Sequence, residues 1–292
     1  MTDLPPWLKV LYPFRAHFHG TAEGRLHYVD EGKGPPVVML HGNPTWSFFY
    51  RDLILALREK HRCLVPDHLG CGLSDKPQSY RPYTLEGHVR RTCEWIDRVD
   101  PGNFHLVVHD WGGAIGFGVA RLVPERIRSI SILNTAAFPF PSIPLRISAC
   151  RIPGVGALLV RGANAFARGA TRMASVEPLS EAVREGYLFP YDTWRNRVAV
   201  HAFVKDVPMR KGHRSRKTLE AIEESLGQWQ KRPVQMIWGM RDWCFHREIL
   251  GVWESILPMA EIHRLENAGH YLLDDAGEEV ARLVGEFLQR MA

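Results

Sequence analysis

The chain has 292 residues, of which 45% are apolar and 24% charged, with a formal net charge of +5. This is the composition of a globular protein with material for one large core, which excludes a disordered or fibrous chain. No apolar run approaches the ~18 residues that a membrane-spanning helix needs. The stretch from Met1 to Pro6 has neither the basic region nor the apolar core of an export signal, so a cytoplasmic location is expected. Five scattered cysteines, at 63, 71, 93, 150 and 244, show no metal-ligand spacing. They read as reduced thiols, and no metal or organic cofactor is expected.

In chain order, Val37–Leu40 reads as a strand and Ser47–Leu57 as a helix. Arg62–Val65 then reads as a strand and Leu85–Val99 as a helix. Phe104–Val108 is a short, β-branched apolar run that leads into a helix from about Gly113 to Leu122, and Ile127–Leu133 is a further strand. Later strands are expected at Val234–Trp238 and Ala260–Arg264, each followed by a helical pattern, the last from about Gly277 to Met291. Strands alternating with helices predict an α/β fold with a mostly parallel sheet covered on both faces. The stretch 137–213 breaks the alternation. It opens on Pro139, Pro141 and Pro144 and then reads as short amphipathic helices. The expected organisation is a core of residues 1–136 and 214–292 with a helical cap at 137–213.

Charge is unevenly spread. From Ala136 to Val176 there is no Asp or Glu, but there are Arg146, Arg151, Arg161, Arg168 and Arg172. A second basic cluster spans Arg210 to Lys217. Nucleic acid or an anionic membrane surface are conceivable partners. No nucleic-acid motif or aromatic interleaving accompanies the arginines, so a solvated or partner-facing surface is the expectation.

The segment after Val108 carries the chemistry. His109-Asp110-Trp111-Gly112-Gly113 joins a strand to a helix, which is the context of a nucleophile elbow, with an aspartate as its reactive residue. A carboxylate with an ordinary value near ~4 is ionised at neutral pH and needs no base to become a nucleophile. It suits attack on an sp3 carbon that bears a leaving group. Asp242 follows the strand ending at Trp238, and His270 follows the strand near Arg264. Nucleophile, acid and histidine therefore all fall at one sheet edge. His270 would serve as base for the water that hydrolyses the aspartyl ester, and Asp242 would hold its tautomer. Backbone N–H groups of Asn43 and Trp111 would hold the oxyanion. The Asn43 amide and the Trp111 indole N–H would cradle the departing anion. Asp67, Ser74 and Asp75 read as turn and cap residues.

These motifs resemble the haloalkane dehalogenases of the α/β-hydrolase fold. The matching segments are 26–32, His41-Gly42-Asn43-Pro44-Thr45-Trp46, 66–74, 109–113 and Ala268-Gly269-His270. The resemblance implies that Asp110 is the nucleophile and that Trp111 and Asn43 bind halide. Where one subfamily has a Glu acid this chain has Asn134, so the acid is expected at Asp242, as in the third subfamily, whose members tend to be oligomers. The expected activity is hydrolytic cleavage of carbon–halogen bonds in a small apolar substrate. The same residues resemble the β-lactone decarboxylases of olefin biosynthesis, including 133–138 and the stretch Arg184 to Tyr191, and this is the alternative. An epoxide hydrolase ranks third and would need Tyr187 and Tyr191 to protonate the opening ring. A non-catalytic scaffold is disfavoured by the intact triad. One departure is Val108, where the elbow usually carries a small residue. Candidate lining residues are Phe138, Phe140, Ile143, Leu158, Leu159, Phe166, Leu188 and Phe203.

Overall fold

The computed structural model describes residues 4–291; residues 1–3, part of the stretch read above for an export signal, and residue 292 lie outside the described residues. Eight strands form one sheet: β1 (His17–Thr21), β2 (Gly24–Glu31), β3 (Pro36–Leu40), β4 (Arg62–Pro66), β5 (Phe104–His109), β6 (Ile127–Leu133), β7 (Val234–Gly239) and β8 (Glu261–Leu265). Their order across the sheet is β1-β2-β4-β3-β5-β6-β7-β8. β3 to β8 are parallel, while β1 and β2 pair antiparallel at one edge. That antiparallel hairpin and the helix Pro6–Leu11 were not among the expected elements. Polar residues such as His17, His19, Asp30 and Glu31 interrupt the apolar runs by which a strand is recognised.

Alternation along the strands divides the core into two layers. Val38, Leu40, Leu106, Val108, Ile130, Ile132, Met236 and Trp238 pack toward the helices Leu85–Val99 and Trp111–Leu122. Val37, Met39, Val107, Leu133 and Ile237 face the opposite layer, with Arg51–Leu57 and Gly277–Arg290. Burial on both faces explains why the middle strands read as continuous apolar runs. Thr84 caps the helix Leu85–Val99 by accepting from Gly87 N at 3.0 Å. The expected helix Ser47–Leu57 is a 3-10 turn, Ser47–Tyr50, followed by an α-helix, Arg51–Leu57.

Between β6 and β7 the described chain contains no strand. Over residues 137–213 it forms the helices Leu145–Ala149, Val155–Ala157, Ala165–Met173, Glu181–Leu188 and Val198–Asp206, with a π-helical stretch at Leu158–Gly162. A small separate core of Cys150, Val160, Ala167, Tyr191, Val200 and Val204 holds this segment together. Among the described residues no helix is long and apolar enough to cross a membrane.

Strand order sets the position of the site. The chain leaves β3 toward β4 on one side, and β5 then adds on the other side of β3. The carboxyl ends of β3 and β5 therefore border the crevice where open parallel sheets bind ligands. Leu40 pairs with Val108 in register, so the next residues of each strand bring Asn43 and Asp110 together.

Candidate active site

Asp110 sits between β5 and the helix Trp111–Leu122 with φ 51° and ψ −127°. A non-glycine residue in that region carries strain of about 1–3 kcal/mol, and it persists only where the surroundings impose it. They do so here. Asp110 N donates to Asn134 O at 3.2 Å, and Asp110 O accepts from Gly113 N at 2.9 Å and from the Thr135 hydroxyl. The side chain points to the β3 loop, where Asn43 N donates to Asp110 Oδ1 at 2.7 Å. Gly42 is required by this close approach, because a Cβ there would lie 1.9 Å from Asp110 Oδ1. The tolerance for Val108 has a similar local explanation. A Cβ on Gly116 would fall 2.5 Å from Val108 Cγ1, so the small residue that lets helix and strand close together stands on the helix instead.

His270 connects the two carboxylates. Its Nδ1 is 2.8 Å from Asp242 Oδ2, and its Nε2 is 3.7 Å from Asp110 Oδ2. The first distance is a hydrogen bond; the second is an ion-pair separation too long for one. The Asp242 contact fixes the proton on Nδ1 and leaves Nε2 toward Asp110. Burial pushes the Asp110 carboxyl above the ordinary aspartate value, against the pull of His270 and of the Trp111 and Asn43 N–H groups. Burial alone would lower His270, but the Asp242 and Asp110 carboxylates outweigh it and raise its value.

Asp242 is held by three donors besides its contact with His270. Cys244 N and Phe245 N donate to Oδ1 at 2.7 and 3.0 Å, and Asn134 Nδ2 donates to Oδ2 at 3.0 Å. Gly239 contributes indirectly, because Asn134 also bridges its N–H and C=O at 2.7 and 3.1 Å. Asn134, noted in the sequence where one subfamily has a Glu, thus positions Asp242. Asn134→Ala should lower kcat about tenfold and stability by about 1–3 kcal/mol, because it strands buried groups at Gly239 and Asp242; thermal melts and initial rates check this. The contacts of His109 also escaped the sequence reading. This residue stacks on Phe49 and lies 4.5 Å from the His270 ring, and its Nε2 donates to His270 O at 2.9 Å. Burial drives its value well below the ordinary histidine range, so it acts as a neutral spacer.

The loop after β3 is fixed by imidazoles. His41 Nδ1 donates to Gly42 O at 2.8 Å, and its Nε2 accepts from His68 N at 3.0 Å. Asp67, Ser74 and Asp75 prove structural. Asp67 is fully buried and accepts from Ser47 N, Leu73 N and His27 Nδ1 at 2.7–2.8 Å. Ser74 joins β2 to this loop, and Asp75 pairs with Arg25.

Asp110, Trp111, Asn43 and His270 line one cavity of about 340 Å³. The Trp111 indole N–H has no hydrogen-bond partner among the described residues. The Asn43 amide donates to Val200 O at 3.2 Å, so part of its donor capacity is already engaged. Of the lining candidates, Phe138, Phe140, Ile143, Leu159 and Phe166 line the cavity. Leu158 instead faces out, Leu188 packs against the small separate core, and Phe203 supports the Trp111 ring edge-on at 5.2 Å. Tyr187 and Tyr191 do not reach the cavity. Tyr187 donates to Asp274 Oδ2 at 2.5 Å and Tyr191 to Thr45 O at 3.4 Å, which removes the ring-opening acids of the epoxide reading.

A parallel sheet with a strained aspartate elbow and a histidine–carboxylate pair at its crevice defines an α/β hydrolase. Residues 35–277 match the alpha/beta hydrolase fold family. A cis-3-alkyl-4-alkyloxetan-2-one decarboxylase of Shewanella oneidensis is 42% identical over 96% of this chain and 90% of that protein. Haloalkane dehalogenase 2 of Mycobacterium tuberculosis is 32% identical over 94% of this chain and 96% of that protein. The haloalkane dehalogenase DatA from Agrobacterium tumefaciens superposes with a TM-score of 0.86 at 26% identity, over 95% of this chain and 97% of that one. The chain therefore belongs to the α/β-hydrolase fold family, among its haloalkane dehalogenase-like enzymes.

Proposed function

We propose that this enzyme decarboxylates cis-3,4-dialkyl oxetan-2-ones, with Asp110 as covalent nucleophile and the helical segment 137–213 as a cap over the site. The observation that carries the reading is the cavity. Its walls are apolar except near Asp110, His270, Asn43 and the rim residue Arg146, which suits a substrate with two hydrocarbon arms and one reactive ring. Greater identity to the decarboxylase than to the dehalogenase supports this reading, whereas the motifs alone do not separate the two.

The chemistry follows from the carboxylate. An Asp110 oxygen attacks the ring carbon that bears the lactone oxygen. The carbon–oxygen bond breaks, ring strain is released, and the substrate carboxylate departs while still attached at the neighbouring carbon. The Trp111 indole N–H and the Asn43 amide would donate to it. In the second step the carbon–carboxylate bond breaks, its electron pair forms the alkene, and Asp110 leaves with its original oxygens. Carbon dioxide and alkene are the products. No water enters and no proton moves.

The second reading is a haloalkane dehalogenase, favoured by the intact Asp242–His270 pair. Only hydrolysis needs a base to activate water. Both substrates share the first step and diverge at the ester. Incubation with a dialkyl cis-β-lactone, followed by NMR, should give alkene at a rate far above halide release from a panel of bromoalkanes. Halide and alcohol with no alkene would reverse the order of the two readings.

A further inference from the structure

The outer wall of the cavity is unusual. The stretch 141–173, whose inner side chains line the cavity, presents large apolar side chains on its outside. Leu145 is 86% exposed, Leu158 65%, Ile152 49% and Val155 48%. Val155 and Leu158 lie three residues apart where the helix Val155–Ala157 runs into the π-helical stretch Leu158–Gly162, so they share a face, and Ile152 lies just before them, ahead of the Pro153-Gly154 turn. Single exposed apolar residues are ordinary, but a contiguous set is not. The exposed Trp194 adjoins the same face, with Arg161 over its ring at 4.6 Å.

Charge runs the same way. The 136–176 stretch carries five arginines and no carboxylate. None of the five makes an ion pair among the described residues. Arg146 meets the Met173 sulfur, while Arg151 and Arg161 reach backbone carbonyls and Gln78. Arg168 and Arg172 are exposed one turn apart on the helix Ala165–Met173. Apolar side chains flanked by uncompensated cations are what an anionic lipid–water interface selects.

We propose that this face docks the enzyme on an anionic lipid bilayer, with the apolar side chains inserted among the acyl chains and the arginines at the headgroups. Docking places the thin wall around Ile147, Leu159 and Phe166 between bilayer and cavity. A water-insoluble dialkyl substrate dissolved in the bilayer then reaches Asp110 without crossing water. This last consequence rests on the proposed substrate; docking does not.

The test is sedimentation of the full chain with phosphatidylglycerol–phosphatidylcholine vesicles and with pure phosphatidylcholine vesicles. Binding should be at least about tenfold stronger to the anionic vesicles and should weaken with salt. It should be lost in Ile152→Glu/Leu158→Glu and weakened about tenfold or more in Arg168→Glu/Arg172→Glu. These side chains are exposed, and an unchanged circular dichroism spectrum and melting temperature verify the fold. No binding to anionic vesicles, or binding indifferent to both variants, would overturn docking. A stable oligomer that Ile152→Glu/Leu158→Glu dissociates, with no vesicle binding, would also overturn it and assign the face to a second copy of the chain. Vesicle binding without lactone turnover would leave docking standing and reject the substrate instead.

Discussion

Asp110→Asn should abolish turnover, by about ten-thousandfold or more, and at the same time make the protein more stable. The loss follows because both readings pass through a bond from this carboxylate to carbon, and the amide is a far poorer nucleophile. The gain follows from burial. The Asp110 value is higher in the folded than in the unfolded chain. Its favourable contribution is therefore present at acid pH, where the group is protonated, and is lost as the pH rises through the folded value. At neutral pH the buried charge is a cost that Asn removes, for a gain of about 1 kcal/mol. The gain should shrink toward zero below pH ~4, where Asp protonates in both states. Melting temperatures of both proteins across pH check it. A destabilised variant at neutral pH would mean that the ion pair with His270 and the bonds from Asn43 and Trp111 outweigh desolvation.

His270→Gln should separate the two chemistries. With a bromoalkane, Asp110 can still displace bromide, but the ester has no base to activate water. One equivalent of halide should appear in a burst, steady turnover should fall about a thousandfold, and the protein should gain the mass of the alkyl group at Asp110. With a dialkyl β-lactone no proton transfer is required, so alkene formation should fall by about tenfold at most, the loss reflecting the missing positive charge beside Asp110. The pH profile of the unaltered enzyme carries the same information. The carboxylates of Asp242 and Asp110 raise His270 against burial, so it stays charged to a pH above its ordinary 6.5. Halide turnover should rise as the pH passes that value and frees the base, whereas lactone turnover should lack that rise.

The legible parts of this protein were those where a single physical demand acts on neighbouring residues. Strand β6 was read at its observed bounds because it is buried on both faces and ends in a turn. The elbow was readable because a strand, an aspartate and two glycines adjoin in the chain. Asp242 and His270 followed from their order and from their place after strands. What escaped reading depends on distant partners. Nothing near Asn134 in sequence shows that it ties Gly239 to Asp242, 105 and 108 residues away. Similarly, Tyr187 looks available until Asp274 and Arg51 are seen to engage it. Leu158 turns outward beside the inward Leu159 at the start of one π-helical stretch, a difference that hydrophobicity alone does not encode.

The most direct test is turnover in water enriched in oxygen-18, followed by mass analysis of the peptide that contains Asp110. Hydrolysis of an aspartyl ester puts a solvent oxygen into the carboxylate, whereas expulsion of the carboxylate by alkene formation does not. Multiple turnovers of a dialkyl β-lactone should give alkene and leave Asp110 light; a bromoalkane should make it heavy, proving that it is the nucleophile. A β-hydroxy acid product with heavy Asp110 from the lactone, or light Asp110 after bromoalkane turnover, would contradict the account.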